Sequence, residues 1–176
     1  MAIILIPENP LERNVLAAIR TLGRKGHEIH VAYPVDNIKL KNRYLNTAVK
    51  SRYINRLDYI PHPLSSTKAF LDEIFNMIRQ RKYDVLMPFT SKTFPVVSLH
   101  SKELSRYTNL ICCDYATYSK ANDKEKITSI AAKLGLPVPN SICPNSVEEL
   151  SAQIGRLKLP VVIKARINSG MQKGLV

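Results

Sequence analysis

A chain of 176 residues, 45% of them apolar and 23% charged, holds enough hydrophobic material for one ordinary domain and part of a second, and too much for wholesale disorder. The longest apolar runs, at residues 2–7 and 160–163, fall far short of the roughly 20 residues that cross a bilayer, and the first residues lack the basic region and long apolar stretch of a secretory signal, so a cytoplasmic protein with no membrane segment is expected. A net charge of +12 attracts phosphate in any form, and because the excess is spread along the whole chain it does not by itself select nucleic acid as the partner.

In chain order, residues 2–6 (Ala-Ile-Ile-Leu-Ile) form the continuous apolar run of a doubly buried parallel strand. Leu11, Val15, Ala18, Ile19 and Leu22 follow at helical spacing, with Gly26 as the stop, and residues 27–32 resume a strand. This is one βαβ unit. The pattern then loosens. Lys39, Lys41, Arg43, Lys50, Arg52 and Arg56 form a block without an acid. A solvated loop is the expectation there, with a polyanion-binding face or an acidic-partner surface as alternatives; Tyr44 and Tyr53 give only weak stacking support for single-stranded nucleic acid. A strand is expected around residues 49–54 and a turn at Pro61-His62-Pro63. Ser65 or Ser66 caps a helix whose Phe70, Leu71, Ile74, Met77 and Ile78 share a face. A strand over residues 84–88 runs into the polar turn Phe89-Thr90-Ser91-Lys92, a helix is expected from Thr93 through Leu104, and a strand at residues 109–112. Cys112 reads as a small buried hydrophobe. Cys112, Cys113 and Cys143 have no zinc-ligand spacing and make no disulfide framework. His27, His30, His62 and His100 share no spacing and read as surface or core residues. Strand–helix alternation at these lengths predicts an α/β fold around a parallel sheet.

Near residues 114–122 the texture changes. Asn122-Asp-Lys-Glu125 has capping-box spacing, and the helix it opens is expected to bury Ile127, Ile130, Ala131 and Leu134 and to stop at Gly135. Pro137-Val-Pro139 is an extended connector. A second capping box, Ser146-Val-Glu-Glu149, starts a helix carrying Val147, Leu150, Ile154 and Leu157. Residues 160–165 (Pro-Val-Val-Ile-Lys-Ala) read as a strand that places Lys164 near its end. A lysine there is costly to bury unless it meets an anion, and the glycine-containing run Asn168-Ser-Gly-Met-Gln-Lys-Gly174 after it suits a nest of backbone amides for phosphate. A simple hairpin turn with exposed lysines is the other reading of that spacing.

Taken together, Asn122-Asp-Lys-Glu-Lys-Ile127, Ala131-Ala-Lys-Leu-Gly-Leu-Pro-Val-Pro139, Ser146-Val-Glu-Glu-Leu150, Leu159-Pro-Val-Val-Ile-Lys-Ala-Arg166 and Ser169-Gly-Met-Gln-Lys-Gly174 resemble the N-terminal lobe of the ATP-grasp superfamily. They are most similar to the group around the carbamoyl-phosphate synthase large chain, biotin carboxylase and related carboxylate–amine ligases. The stretch before them, with Asp84-Val-Leu-Met-Pro88 and its polar turn, resembles the pre-ATP-grasp domain of those enzymes. The resemblance implies a Rossmann-like pre-ATP-grasp domain over residues 1–118 and an incomplete α+β ATP-grasp N-terminal lobe over residues 119–176.

The resemblance also implies roles. Lys124 and Lys164 match the two lysines that reach the nucleotide phosphates, and Ser169, Gly170, Lys173 and Gly174 match the mobile loop that closes over them. Met171-Gln172 departs from the small residues many relatives carry. ATP is the implied cofactor, with Mg²⁺ held by acidic residues of the second lobe, which is expected to lie outside these residues. No catalytic or metal-binding residue is therefore expected here, and no turnover from the chain alone. The implied partners are a small carboxylate, placed near residues 7–9 and 88–92, and a second copy or a partner chain completing the site. The implied chemistry is activation of the carboxylate as an acyl phosphate for attack by an amine or similar nucleophile. The alternatives are a non-catalytic Rossmann-like binding or regulatory module and, from charge alone, a nucleic-acid-associated protein. Pro7-Glu-Asn-Pro10 lacks the GxGxxG fingerprint of dinucleotide binding.

Overall fold

The computed structural model describes residues 1–36 and 51–167. Ser169, Gly170, Lys173, Gly174 and most of the basic block lie outside the described residues. Contacts divide the chain into two units, one holding Met1–Tyr115 and the other beginning at Ala116.

The first unit is built on β1 (Ile3–Ile6), β2 (Glu28–Val35), β3 (Arg56–Pro61), β4 (Val85–Leu86) and β5 (Asn109–Leu110). All the pairings are parallel, in the order β3-β2-β1-β4-β5. The alternating residues of the buried strands feed two cores. Ile4, Ile6, Ile29, Val31, Tyr33 and Val35 face Val15 and Ile19 of α1 (Arg13–Arg24). Leu5, Ala32, Ile60 and Leu86 face Phe70, Leu71, Ile74, Met77 and Ile78 of α2 (Thr67–Gln80), together with Val96, Val97 and Leu104. This is the doubly wound arrangement expected of apolar runs flanked by helices. Ser66 is the α2 cap, accepting from the Ala69 N–H at 3.2 Å, and Gly26, at φ 82°, takes the left-handed turn after α1. His30 is a core residue: its ring meets Tyr83 Oη at 3.0 Å and Glu28 Oε1 at 2.8 Å.

Three local expectations need correction. Pairing of the third strand begins at Arg56, whereas residues 51–54 form a turn. This is an edge strand, and its exposed face carries the Arg56–Asp58 ion pair at 2.6 Å, so its apolar signal is weak. The expected helix over residues 93–104 breaks into α3 (Phe94–Leu99) and α4 (Ser101–Leu104) at His100, a bend that lets Val96, Val97 and Leu104 enter one core. The strands at residues 84–88 and 109–112 shorten to two residues each; beyond Met87, whose N–H still donates to the Leu5 carbonyl at 2.9 Å, the chain turns to meet Glu8 through the Phe89 amide. Cys112 is half-buried against the α2-side core, and burial raises its thiol pKa.

The second unit carries α5 (Tyr115–Asn122), α6 (Lys124–Lys133), α7 (Val147–Gln153) and a 3₁₀ turn at Ile154–Arg156. The α6 cap is Asp123, one residue later than the expected Asn122; its carboxylate accepts from the Glu125 and Lys126 amides. Ser146 caps α7, and Glu149 reaches back to the Asn145 N–H at 2.9 Å. Residues 160–165 form no strand and pair with none among the described residues; an isolated antiparallel bridge joins Asp123 and Ile167. Among the described residues there is no sheet face for these helices to cover. The expected buried faces are accordingly exposed: Ile127 is 44% exposed, Leu134 71% and Val147 72%.

Candidate functional site

In a doubly wound sheet the crevice for a ligand opens beyond the carboxyl ends of the strands, where the strand order reverses. Here the reversal lies at β1, flanked by β2 and β4. A cleft of about 190 Å³ opens there, lined by residues that follow β1 (Glu8, Asn9, Glu12), the end of β2 (Tyr33 to Asp36), His62 after β3, and Thr90, Lys92 and Thr93 after β4. Of the positions named from the sequence, residues 7–9 and 88–92, it is Glu8, Asn9, Thr90 and Lys92 that line it.

Glu8 organises this end of the sheet. It is 1% exposed, and its Oε1 accepts from the Phe89 N–H at 2.6 Å, the Thr90 N–H at 2.9 Å and the Thr93 hydroxyl. Burial raises its pKa, and these hydrogen bonds offset part of that rise. Its other oxygen, Oε2, has no partner among the described residues. The buried side-chain polar atom that lacks a partner there is Tyr59 Oη, so Glu8 Oε2 is not sealed off and opens on the cleft that the residue lines. His62 Nδ1 accepts from the Leu64 N–H at 3.2 Å and lies 3.8 Å from Asp36. Burial is the main cause of its lowered pKa, with Lys92 adding to the fall and Asp36 opposing it. Asp36 also accepts from the Ser65 hydroxyl at 3.1 Å. Lys92 is exposed at the rim and forms no ion pair among the described residues.

The second unit holds two of the residues named as phosphate contacts. Lys124 is the first residue of α6, and Lys164 is exposed on the irregular segment over residues 160–165. The two segments are joined at the backbone, where the Lys124 N–H donates to the Arg166 carbonyl at 3.0 Å. They are joined again by side chains. Arg166 Nε and Nη2 donate to the Asp123 carboxylate at 3.1 and 3.0 Å, and Arg166 Nη1 lies 2.8 Å from Glu125. The Arg166 hydrogen bond is the largest cause that holds the Asp123 pKa down, at about 2. This clamp was not singled out from the sequence. Opposite charges beside each lysine motif, 43 residues apart, are the signal that could have found it.

No protein-family profile matches the chain, and no curated protein matches it. Solved structures do. The biotin carboxylase domain of a single-chain bacterial carboxylase superposes with TM-score 0.58 at 15% identity, over 89% of this chain and 34% of that one. A single-chain, multi-domain long-chain acyl-CoA carboxylase gives 0.59 at 16% identity, over 86% and 14%. The biotin carboxylase domain dimer of Hydrogenobacter thermophilus 2-oxoglutarate carboxylase, solved with MgADP, ADP and bicarbonate, gives 0.65 at 16% identity, over 94% and 35%. The fold is biotin carboxylase-like. The chain thus spans between about a seventh and a third of these carboxylase chains, and the likeness covers nearly all of its own length.

Proposed function

We propose that this chain is the front portion of an ATP-dependent ligase of the ATP-grasp type, cytoplasmic, in which a carboxylate is activated as an acyl phosphate and passed to an amine or similar nucleophile. The observation that carries this reading is the biotin carboxylase-like fold across 86–94% of the chain, one of those structures holding MgADP and bicarbonate. In it, Lys124 and Lys164 contact the nucleotide phosphates, with Ser169, Gly170, Lys173 and Gly174 as the covering loop. The Asp123–Arg166 clamp would fix the two lysine-bearing segments beside each other before nucleotide arrives, lowering the ordering cost of binding. ATP supplies the phosphoryl group. Mg²⁺ would be held by acidic residues of a second lobe, on the same polypeptide or on a partner chain.

Two lysines without an adenine pocket or a metal bridge make half a site. ATP binding by the 176 residues alone is expected to be no tighter than about millimolar. Completed by a second lobe, the same ammonium groups face phosphate in a closed, drier environment, where charge-assisted contacts are stronger. Calorimetry with MgATP tests this. Lys164→Ala is expected to weaken binding by about 2 kcal/mol or more in the completed protein and to change little in the isolated chain. Micromolar binding by the isolated chain would place the nucleotide site elsewhere.

A further inference from the structure

The cleft at the end of β1 has its own chemistry. Its lining carries three carboxyl groups, Glu8, Glu12 and Asp36, against one ammonium, Lys92, and one imidazole, His62. The deepest of these groups is Glu8, 1% exposed. Its Oε1 is committed to three donors, while Oε2 faces the cleft with no partner among the described residues. A carboxylate oxygen that opens on the cleft without a protein donor can accept a charge-assisted hydrogen bond from a ligand. The single cation, Lys92, stands at the rim with no carboxylate in ion-pair range among the described residues. Donor demand in the depth and an unpaired ammonium at the mouth define the polarity of what fits.

We propose that this cleft binds a small zwitterion, a primary amine with a carboxylate, its ammonium on Glu8 Oε2 and its carboxylate toward Lys92. The inference rests on the ligase reading and names the class of its small substrate. About 190 Å³ is a little more than the roughly 150 Å³ that holds a benzene ring, so the occupant is an amino-acid-sized molecule and not a nucleotide. The hydrogen bonds from the Phe89 and Thr90 amides to the same carboxylate pass the event to the β4–α3 loop. An ammonium on Oε2 draws charge from Oε1, so these two amides report occupancy directly.

The test is a ¹H–¹⁵N correlation titration of the whole 176-residue chain with glycine, β-alanine and γ-aminobutyrate, and separately with ethylammonium and acetate. The amino acids are expected to shift the Phe89 and Thr90 amides saturably. Ethylammonium should shift them at higher concentration, and acetate should leave them in place. Glu8→Gln, which keeps an acceptor for the loop amides, should weaken the best amino acid by about tenfold or more, and Lys92→Ala should weaken it but leave ethylammonium unchanged. The wild-type comparison of ethylammonium with acetate stands even if a variant folds poorly. Acetate binding as well as the amino acids, or no shift by any amine up to about 100 mM, would overturn the proposal. Neither result bears on Lys124 and Lys164, whose response to MgATP is read at other amides, so the two readings fail separately.

Discussion

Single residues set the tolerances of both units. Gly23 sits in α1 directly under Tyr53: a Cβ there would lie 2.6 Å from Tyr53 Cβ and 2.7 Å from Cδ1. Alanine in place of a helical glycine ordinarily stabilises by about 1 kcal/mol. Here the nearest obstacle is the root of the Tyr53 side chain, which cannot swing aside without moving its backbone, and overpacking of this kind costs about 1–3 kcal/mol. Gly23→Ala is therefore expected to destabilise the first unit by about 1–2 kcal/mol net in urea unfolding, and a stabilised variant would contradict the packing. Asp123 sets the pH limit of the second unit. Its carboxyl pKa falls from 3.8 to about 2 in the folded chain. A lowered pKa means that the folded state holds this proton less tightly than the unfolded one, so the contribution is complete above 3.8 and is lost as pH falls through about 2. The Glu125 and Lys126 amides, which donate to Asp123, should titrate with a midpoint near the lower value. A midpoint near 3.8 would mean that Arg166 does not hold the carboxylate.

At the scale of elements, legibility followed burial. The apolar run of β1, the helical spacing of α1 and the five-residue face of α2 could be read directly, because each is buried on the side its pattern names. The edge strand β3 could not: Arg56 and Asp58 give its outward side the look of a loop, and Pro61, its last residue, reads as turn chemistry. The second unit shows the opposite failure. Its apolar spacings formed helices α6 and α7, but spacing names a face without naming what covers it, and the run at residues 160–165 found no strand to pair with among the described residues. The cleft was legible in position, since residues at the ends of β1 and β4 meet wherever a parallel sheet reverses its order. Its content was not. His62 and the Tyr33–Asp36 stretch enter it only because β2 and β3 lie on one side of β1, and a lone Glu8 in Pro-Glu-Asn carries no spacing that marks it as buried.

For the whole molecule, stability is concentrated in the first unit. Among the described residues, every buried large hydrophobic lies between Ile4 and Leu104, whereas Ile127, Ile130, Leu134, Val147 and Ile154 of the second unit are exposed. A polypeptide of residues 1–118 is expected to unfold cooperatively by heat, as its sheet and both cores lie within it; a molten, dye-binding product would contradict a self-sufficient first domain. In the full chain, α6 and α7 amides should exchange with deuterium well before those of β1 and α2, since few buried contacts oppose local opening.

The claim that joins these scales is that the second unit presents Lys124 and Lys164 to a nucleotide. A ¹H–¹⁵N correlation titration of the chain with MgATP tests it most directly, because it locates even weak binding. The account predicts saturable shifts at about millimolar concentration, centred on Lys124 to Lys126 and Lys164 to Ile167 and removed by Lys124→Ala combined with Lys164→Ala. Shifts centred instead on Glu8, Thr90 and Lys92, or shifts that persist in the double variant, would contradict it.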